Sequence, residues 1–354
     1  MKYYNKQDSI MTKGMAILCM LMLHLFCRTG NDVLGTPVLW INDTTPVIFW
    51  FGFFAEICVP IYSICAGYAQ QLLYEKNSLT WNDNVKRIGK LMVNYWIVLI
   101  VFCTLGLAFD KSNWIPGSLM KFAESIVLVH SYNGAWWFLN SYVLLLLIPY
   151  MISFYPLKKL GYKSGLVVCL LFQIIWYFLT KSGMTELVST ENQVIFFINK
   201  ELVNLIGIIP YIWAGAFLCK GKVIEKIGNW IDTQKVSVIK RNGVLLSVWG
   251  MIFILTNIVH KAVFFGVISV CSFIIFNIII KGKIVEKIFS FLGKHSTNIW
   301  LVHMFFYMYL FKGLVTIVKY PLCMLGFMLV LCIGSSYIIM AIENWVCKKL
   351  TLIF

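Results

Sequence analysis

Eight residues of this chain combine reactive or hydrogen-bonding chemistry with apolar surroundings: Lys13, His24, Glu56, Arg87, Trp137, Asn140, Ser141 and His303. Lys13 and His24 are eleven residues apart in one apolar run. At about 100° per residue a helix returns them to nearly the same face, about 16 Å apart along its axis. Arg28 follows one turn beyond His24. A helix showing lysine, histidine and arginine on one side needs a polar interior or a water-filled cavity there. The plainer alternative is a snorkelling Lys13 and a structural, hydrogen-bonded His24. Glu56 lies four residues before Pro60, which should kink a helix and free a carbonyl. Its carboxylate can pair with Lys13 or Arg28, orient an imidazole, or serve as half of a structural ion pair. Lys86-Arg87 enters a further apolar run. An arginine fork suits phosphate, while basic residues at such a boundary are also ordinary topology signals. Asn140 and Ser141 follow Trp137 and read as polar glue between helices beneath an aromatic belt. His303 shares a helical face with Ser296, seven residues earlier, and is either a packed histidine or a site residue.

The elements that must position these groups are lipid-spanning helices. The chain has 354 residues, 60% hydrophobic and 13% charged, with a mean hydropathy of +0.81. Soluble domains hold about 25% charged residues. Apolar runs long enough to span predict ten helices, over 11–28, 46–73, 90–109, 135–154, 164–180, 202–219, 243–258, 261–280, 297–318 and 321–343. The seventh and eighth are a tight hairpin or one split segment. With ten spans, one side holds only Arg28, Lys111, Lys121, Lys181, Lys200, Lys261, Lys312 and Lys319, and the other the remaining 22 of 30 basic residues. That asymmetry places both termini in the cytoplasm of a multi-pass plasma-membrane protein. Lys2, Lys6 and Lys13 before an apolar run imitate a signal peptide, but no small-residue cleavage site follows, so the segment reads as a retained first span. Residues 119–129 read as an interfacial or re-entrant helix, and residues 220–242 as an amphipathic cytoplasmic loop. The fold class expected is all-α, a polytopic bundle forming a single domain over 1–354.

The net charge of +15 lies in short loops, which suits topology and anionic lipid rather than nucleic acid. Eleven cysteines form no CxxC pair, so neither a zinc site nor a redox motif is expected.

Five segments, in order, resemble the acyltransferase-3 family of integral-membrane O-acyltransferases. Lys13-Gly14 through His24 is similar to that family's basic-Gly run ending in histidine. Pro60 through Gly67-Tyr68, Lys86-Arg87, Trp137-Phe138-Leu139, and Gly293-Lys294-His295-Ser296 with Leu301-Val302-His303 resemble its later motifs. Lys13 replaces an arginine, Ala66 stands where serine is common, and Asn140-Ser141 lacks the paired glutamates of some members. The resemblance implies transfer of an acyl group, often acetyl, from cytoplasmic acyl-CoA to a hydroxyl of a cell-surface glycan or its lipid-linked precursor. No bound cofactor is implied; acyl-CoA is a co-substrate, and lipid and glycan are the partners. His24 is then the general base, with Lys13, Arg87 and His303 on the donor side. Asn140, Ser141 and Trp137 are contacts to an oxyanion or the acceptor, and Glu56 is an orienting carboxylate. A glycan or solute exporter suits many spans equally well, and a non-catalytic scaffold in a polysaccharide-synthesis complex is a third reading.

Overall fold

The computed structural model describes residues 4–76, 79–110, 112–148, 159–182 and 192–350. Their order is α1 Lys6–Phe26, β1 Trp40–Asn42, β2 Thr45–Pro46, α2 Val47–Phe54, a 3₁₀ turn Ala55–Ile57, α3 Cys58–Glu75, α4 Trp81–Phe109, α5 Leu119–Ile126, α6 Trp137–Leu147 and α7 Tyr162–Lys181. There follow α8 Gln193–Lys220, α9 Val223–Thr233, α10 Val238–Val259, α11 Phe265–Ile278, α12 Lys283–Tyr307 and α13 Pro321–Leu350. Among the described residues, seven helical segments are long and apolar enough to cross a membrane, and Gly134–Leu147 and Phe265–Ile278 are shorter apolar helices. The chain is an all-α, polytopic helical membrane protein.

Several boundaries differ from those of the hydropathy reading. α4 begins at Trp81, so Lys86 and Arg87 lie on the helix rather than in a loop before it. α12 runs from Lys283 to Tyr307, not over 297–318. Its first turns carry Lys283, Glu286, Lys287 and Lys294 among apolar residues, an amphipathic pattern that an apolar-run criterion rejects. After Tyr307 the apolar stretch leaves the α-helix: the chain turns through Gly313, at φ +93, into a short 3₁₀ helix, Val315–Val318. α10 and α11 are separate helices, since His260 takes φ 52 and ends the first, its ring stacked on Phe53 at 3.9 Å. Residues 119–129 hold the short helix α5, and 220–242 hold α9. The end of the expected fourth span and residues 183–191 of the segment 181–201 lie outside the described residues.

The chain forms two compact units: residues 1–27, 50–80 and 148–294, and residues 28–49, 81–147 and 295–354. In the first, helices touch backbone to backbone at glycines. A Cβ on Gly14 of α1 would stand 2.0 Å from the Phe289 carbonyl oxygen, and one on Gly293 of α12 would stand 1.9 Å from that of Ile10. The same reciprocity joins α3 to α8: a Cβ on Gly67 would stand 1.8 Å from the Ile212 oxygen, and one on Gly215 2.1 Å from that of Ile64. α1 starts at a capping box: the Asn5 side chain accepts from the Gln7 and Asp8 amides, and Asp8 accepts from the Asn5 amide. The C-terminal carbonyls of α11 and of the turn after it are met by side chains. Lys281 donates to Phe276 and Ile279, Arg241 to Ile278, and Asn242 to Ile280.

In the second unit, α4 packs on α6 and α13. The segment after α4 is built on Asp110, whose carboxylate accepts from Ser112, Trp114 and Ile115. Burial works to raise its pKa, but these hydrogen bonds outweigh burial and hold it below the usual carboxylate value.

Adding one methyl at Gly67 should force α3 and α8 apart at a cost of about 1–3 kcal/mol. Thermal unfolding in detergent should show a lower midpoint for Gly67→Ala than for Gly243→Ala, where a Cβ meets nothing within 4 Å. Burial lowers the Lys281 pKa from 10.5 to about 8, against the pull of Asp8 and Glu286. The unfolded chain therefore binds a proton that the folded chain releases between those values, and stability should rise from pH 8 to 10.5. Urea titrations across that window should lose much of this slope in Lys281→Met.

Candidate functional site

Lys13, His24 and Glu56 belong to the first unit. α1 is unbroken from Lys6 to Phe26, so Lys13 and His24 do share a stripe with about 16 Å of rise between them. Both are half-buried. Lys13 precedes the tight crossing at Gly14, and its carbonyl accepts from the Tyr62 hydroxyl of α3 at 3.3 Å. His24 sits in the last turn of α1, where the final carbonyls lack helical N–H partners and favour positive charge. Immediately beyond it Gly52 of α2 presses on the backbone of Phe26 and Cys27, with a Cβ there only 2.5 Å away.

Glu56 lies in the 3₁₀ turn between α2 and α3. Pro60 has no N–H to offer the Glu56 carbonyl, and the helix tightens at that place. The 3₁₀ turn therefore falls on the carboxylate-bearing residue itself. α1 packs against α3 and this turn.

Arg87, Trp137, Asn140, Ser141 and His303 belong to the second unit. Arg87, half-buried, donates to the Asn84 side chain at 3.2 Å, and Asn84 in turn donates to the Leu146 carbonyl of α6. Asn140 donates to the Leu128 carbonyl at 3.0 Å, and the fully buried Ser141 bonds back to the Trp137 carbonyl. Trp137 is half-buried, edge-on to Phe138. His303 is fully buried, with Nδ1 2.8 Å from the Trp300 carbonyl. A carbonyl only accepts, so Nδ1 carries the hydrogen. Tyr307 lies stacked beyond this ring, and the Arg28 guanidinium is 5.7 Å from the Tyr307 centroid.

The helix around His303 is pinned from outside. Trp136 and Asn133 both donate to the Leu301 carbonyl at 3.0 Å, while Trp300 donates to that of Ala135 at 2.9 Å.

A further polar chain was not legible in the sequence. Asn94 of α4 donates to Asn298 of α12 at 2.7 Å, Asn298 donates to Ser336 of α13 at 3.0 Å, and Ser336 meets His295 Nδ1 at 2.8 Å. All four side chains are buried. Their separations, up to 204 residues, leave no local spacing signal. Only the histidine in the Gly-Lys-His-Ser run hinted at it.

With this arrangement in view, comparison with known proteins is decisive at one level. A family profile described as an acyltransferase domain matches residues 10–341. The chain belongs to the acyltransferase-3 family. This acyltransferase shows no significant match to a curated protein or to a solved structure. The match includes all eight candidate site residues, and with the apolar helices it makes the chain a membrane acyltransferase. Among the described residues, no group of three histidine, cysteine, aspartate or glutamate side chains could hold a metal ion.

Interhelical hydrogen bonds in membranes contribute about 0.6–2 kcal/mol each. Asn298→Leu removes two of them and should lower the unfolding free energy by on the order of 1–2 kcal/mol. Ser336→Ala also removes two, those with Asn298 and His295, and should lower the thermal midpoint by a similar amount.

Proposed function

We propose that this acyltransferase moves an acyl group, acetyl in the first instance, from cytoplasmic acyl-CoA to a hydroxyl of a cell-surface polysaccharide or its lipid-linked precursor. The observation that carries this reading is the α1 stripe: a cation and an imidazole on one continuous helix face, about 16 Å apart, inside a family profile for acyl transfer. The distance suits an extended pantetheine arm whose phosphates stay with Lys13 near the cytoplasmic side; the family resemblance adds Arg87 as a donor-binding residue. His303 stands on the donor side of this scheme. The protein sits in the plasma membrane with both termini in the cytoplasm, as its basic residues are distributed.

In the transfer step, neutral His24 removes the acceptor hydroxyl proton as the oxygen attacks the thioester carbon. The tetrahedral intermediate then expels the CoA thiolate, which takes the proton back from the imidazolium, giving an ester and free CoA thiol. The C-terminal carbonyls of α1 offset the transient positive charge on His24. Glu56 orients the catalytic group. Trp137 lines the acceptor side, and Asn140 or Ser141 serves the oxyanion by exchanging its present backbone bond for the substrate. No resident cofactor takes part; acyl-CoA is consumed.

A general base of this kind contributes about 10²–10⁴-fold. Purified wild type and His24→Ala, matched for thermal midpoint, should therefore differ by about that factor in transfer from labelled acetyl-CoA to extracted surface polysaccharide. Wild-type turnover in the alanine variant would remove His24 from the mechanism. An absence of acylated product from wild type in detergent, where no gradient exists, would favour an exporter.

A further inference from the structure

A cavity of about 150 Å³ opens between α7 and α8 in the first unit, walled by Gln173, Trp176, Tyr177, Thr180, Gly207 and Tyr211. The four α7 residues recur at spacings of three and four, so they form one stripe facing α8. Helices that meet only to hold together in lipid do so through small residues. This pair instead brings a carboxamide, an indole, two phenols and a hydroxyl to one space. Gly207 keeps it open: a Cβ there would stand 3.2 Å from Trp176 Nε1.

The wall also has unmet hydrogen-bonding capacity. Gln173 is 9% exposed; its Oε1 has no hydrogen-bond partner among the described residues and is packed against Gly266 of α11, where a Cβ would stand 1.3 Å from it. Orphaned groups of this kind cost about 1–3 kcal/mol each unless something bound satisfies them.

From this geometry we infer that the cavity is a saccharide subsite holding one pyranose ring of the acceptor. The inference rests on the reading of the acceptor as a glycan. Size sets the ligand at one ring, since an apolar cavity of about 150 Å³ admits a single benzene. The lining sets its chemistry. A pyranose has an apolar C–H face to lay on Trp176 or Tyr211 and a hydroxyl edge for Gln173 and the phenols. A lipid acyl chain would leave those polar groups unmet. The charge asymmetry of the loops also turns the Thr180 end of α7 outward, the side from which a surface glycan arrives.

The test uses the full chain in lipid nanodiscs with methyl glycosides of glucose, galactose and N-acetylglucosamine as probes. Saturation-transfer NMR should show ring C–H signals for at least one glycoside with wild type. Gly207→Leu, which fills the cavity, should abolish them. Gln173→Leu keeps the volume and covers the case in which the glycine variant does not fold; it should weaken binding about tenfold, the loss of roughly one hydrogen bond. No signal from any glycoside with wild type, or equal signals from wild type and both folded variants, overturns the subsite. Acyl transfer from labelled acetyl-CoA to the same glycosides separates the two readings. Glycoside binding without transfer refutes the acyl-transfer scheme and leaves the subsite. Transfer with an unchanged glycoside KM in both variants refutes the subsite and leaves the scheme.

Discussion

Between two helices in lipid there is little hydrophobic force, because the lipid alternative is as apolar as the partner helix. What holds α1 to α12 and α3 to α8 is close backbone contact, possible only where neither helix carries a side chain. Gly14 with Gly293, and Gly67 with Gly215, form two such crossings, each reciprocal, each with the opposing carbonyl where a methyl would go. Dispersion falls off steeply with distance, so a gap of half an ångström at these points forfeits a large part of the attraction. The first unit depends on these four positions more than on any polar contact in it.

The same crossings place the chemistry. Lys13 is the residue before Gly14, so the height and rotation of the α1 stripe are set where α1 meets α12. Eleven residues further on, the stripe ends at His24, just before the place where Gly52 lets α2 close over the helix end. Pro60 then breaks the next helix at Glu56 by withholding one N–H. Three ionisable groups thus occupy three kinds of helix irregularity: a tight crossing, a C-terminus and a proline break. Such places leave backbone polar groups available in a medium that otherwise requires them all to be paired.

Much of this was legible in the sequence, for reasons that can be named. Helix class and the α1 stripe follow from hydropathy and a period of 3.6 residues, and α9 shows the same period against charge. Gly14, Gly67 and Gly293 were legible as members of motifs but without a reason, because a glycine in a string does not say which backbone approaches it. α12 was misplaced because its first half is amphipathic rather than apolar, while the apolar stretch after Tyr307 is bent by Gly313. The chain Asn94–Asn298–Ser336–His295 and the cavity between α7 and α8 were invisible. The polar chain joins side chains from helices far apart in sequence; the cavity joins consecutive helices, but neither apolar run by itself shows which of its faces meets the other.

The distance along the chain between Gly14 and Gly293 has a consequence for biosynthesis. At roughly 5–20 residues per second, the ribosome needs on the order of tens of seconds to make the intervening stretch. For that time α1 is already inserted, with its glycine face unmatched and its lysine and histidine turned toward whatever lies beside it. Gln7 and Thr12 wait equally long for Ser290 and Asn277. The nascent first helix must therefore be sheltered, by the insertion machinery or by α3, until translation is nearly complete.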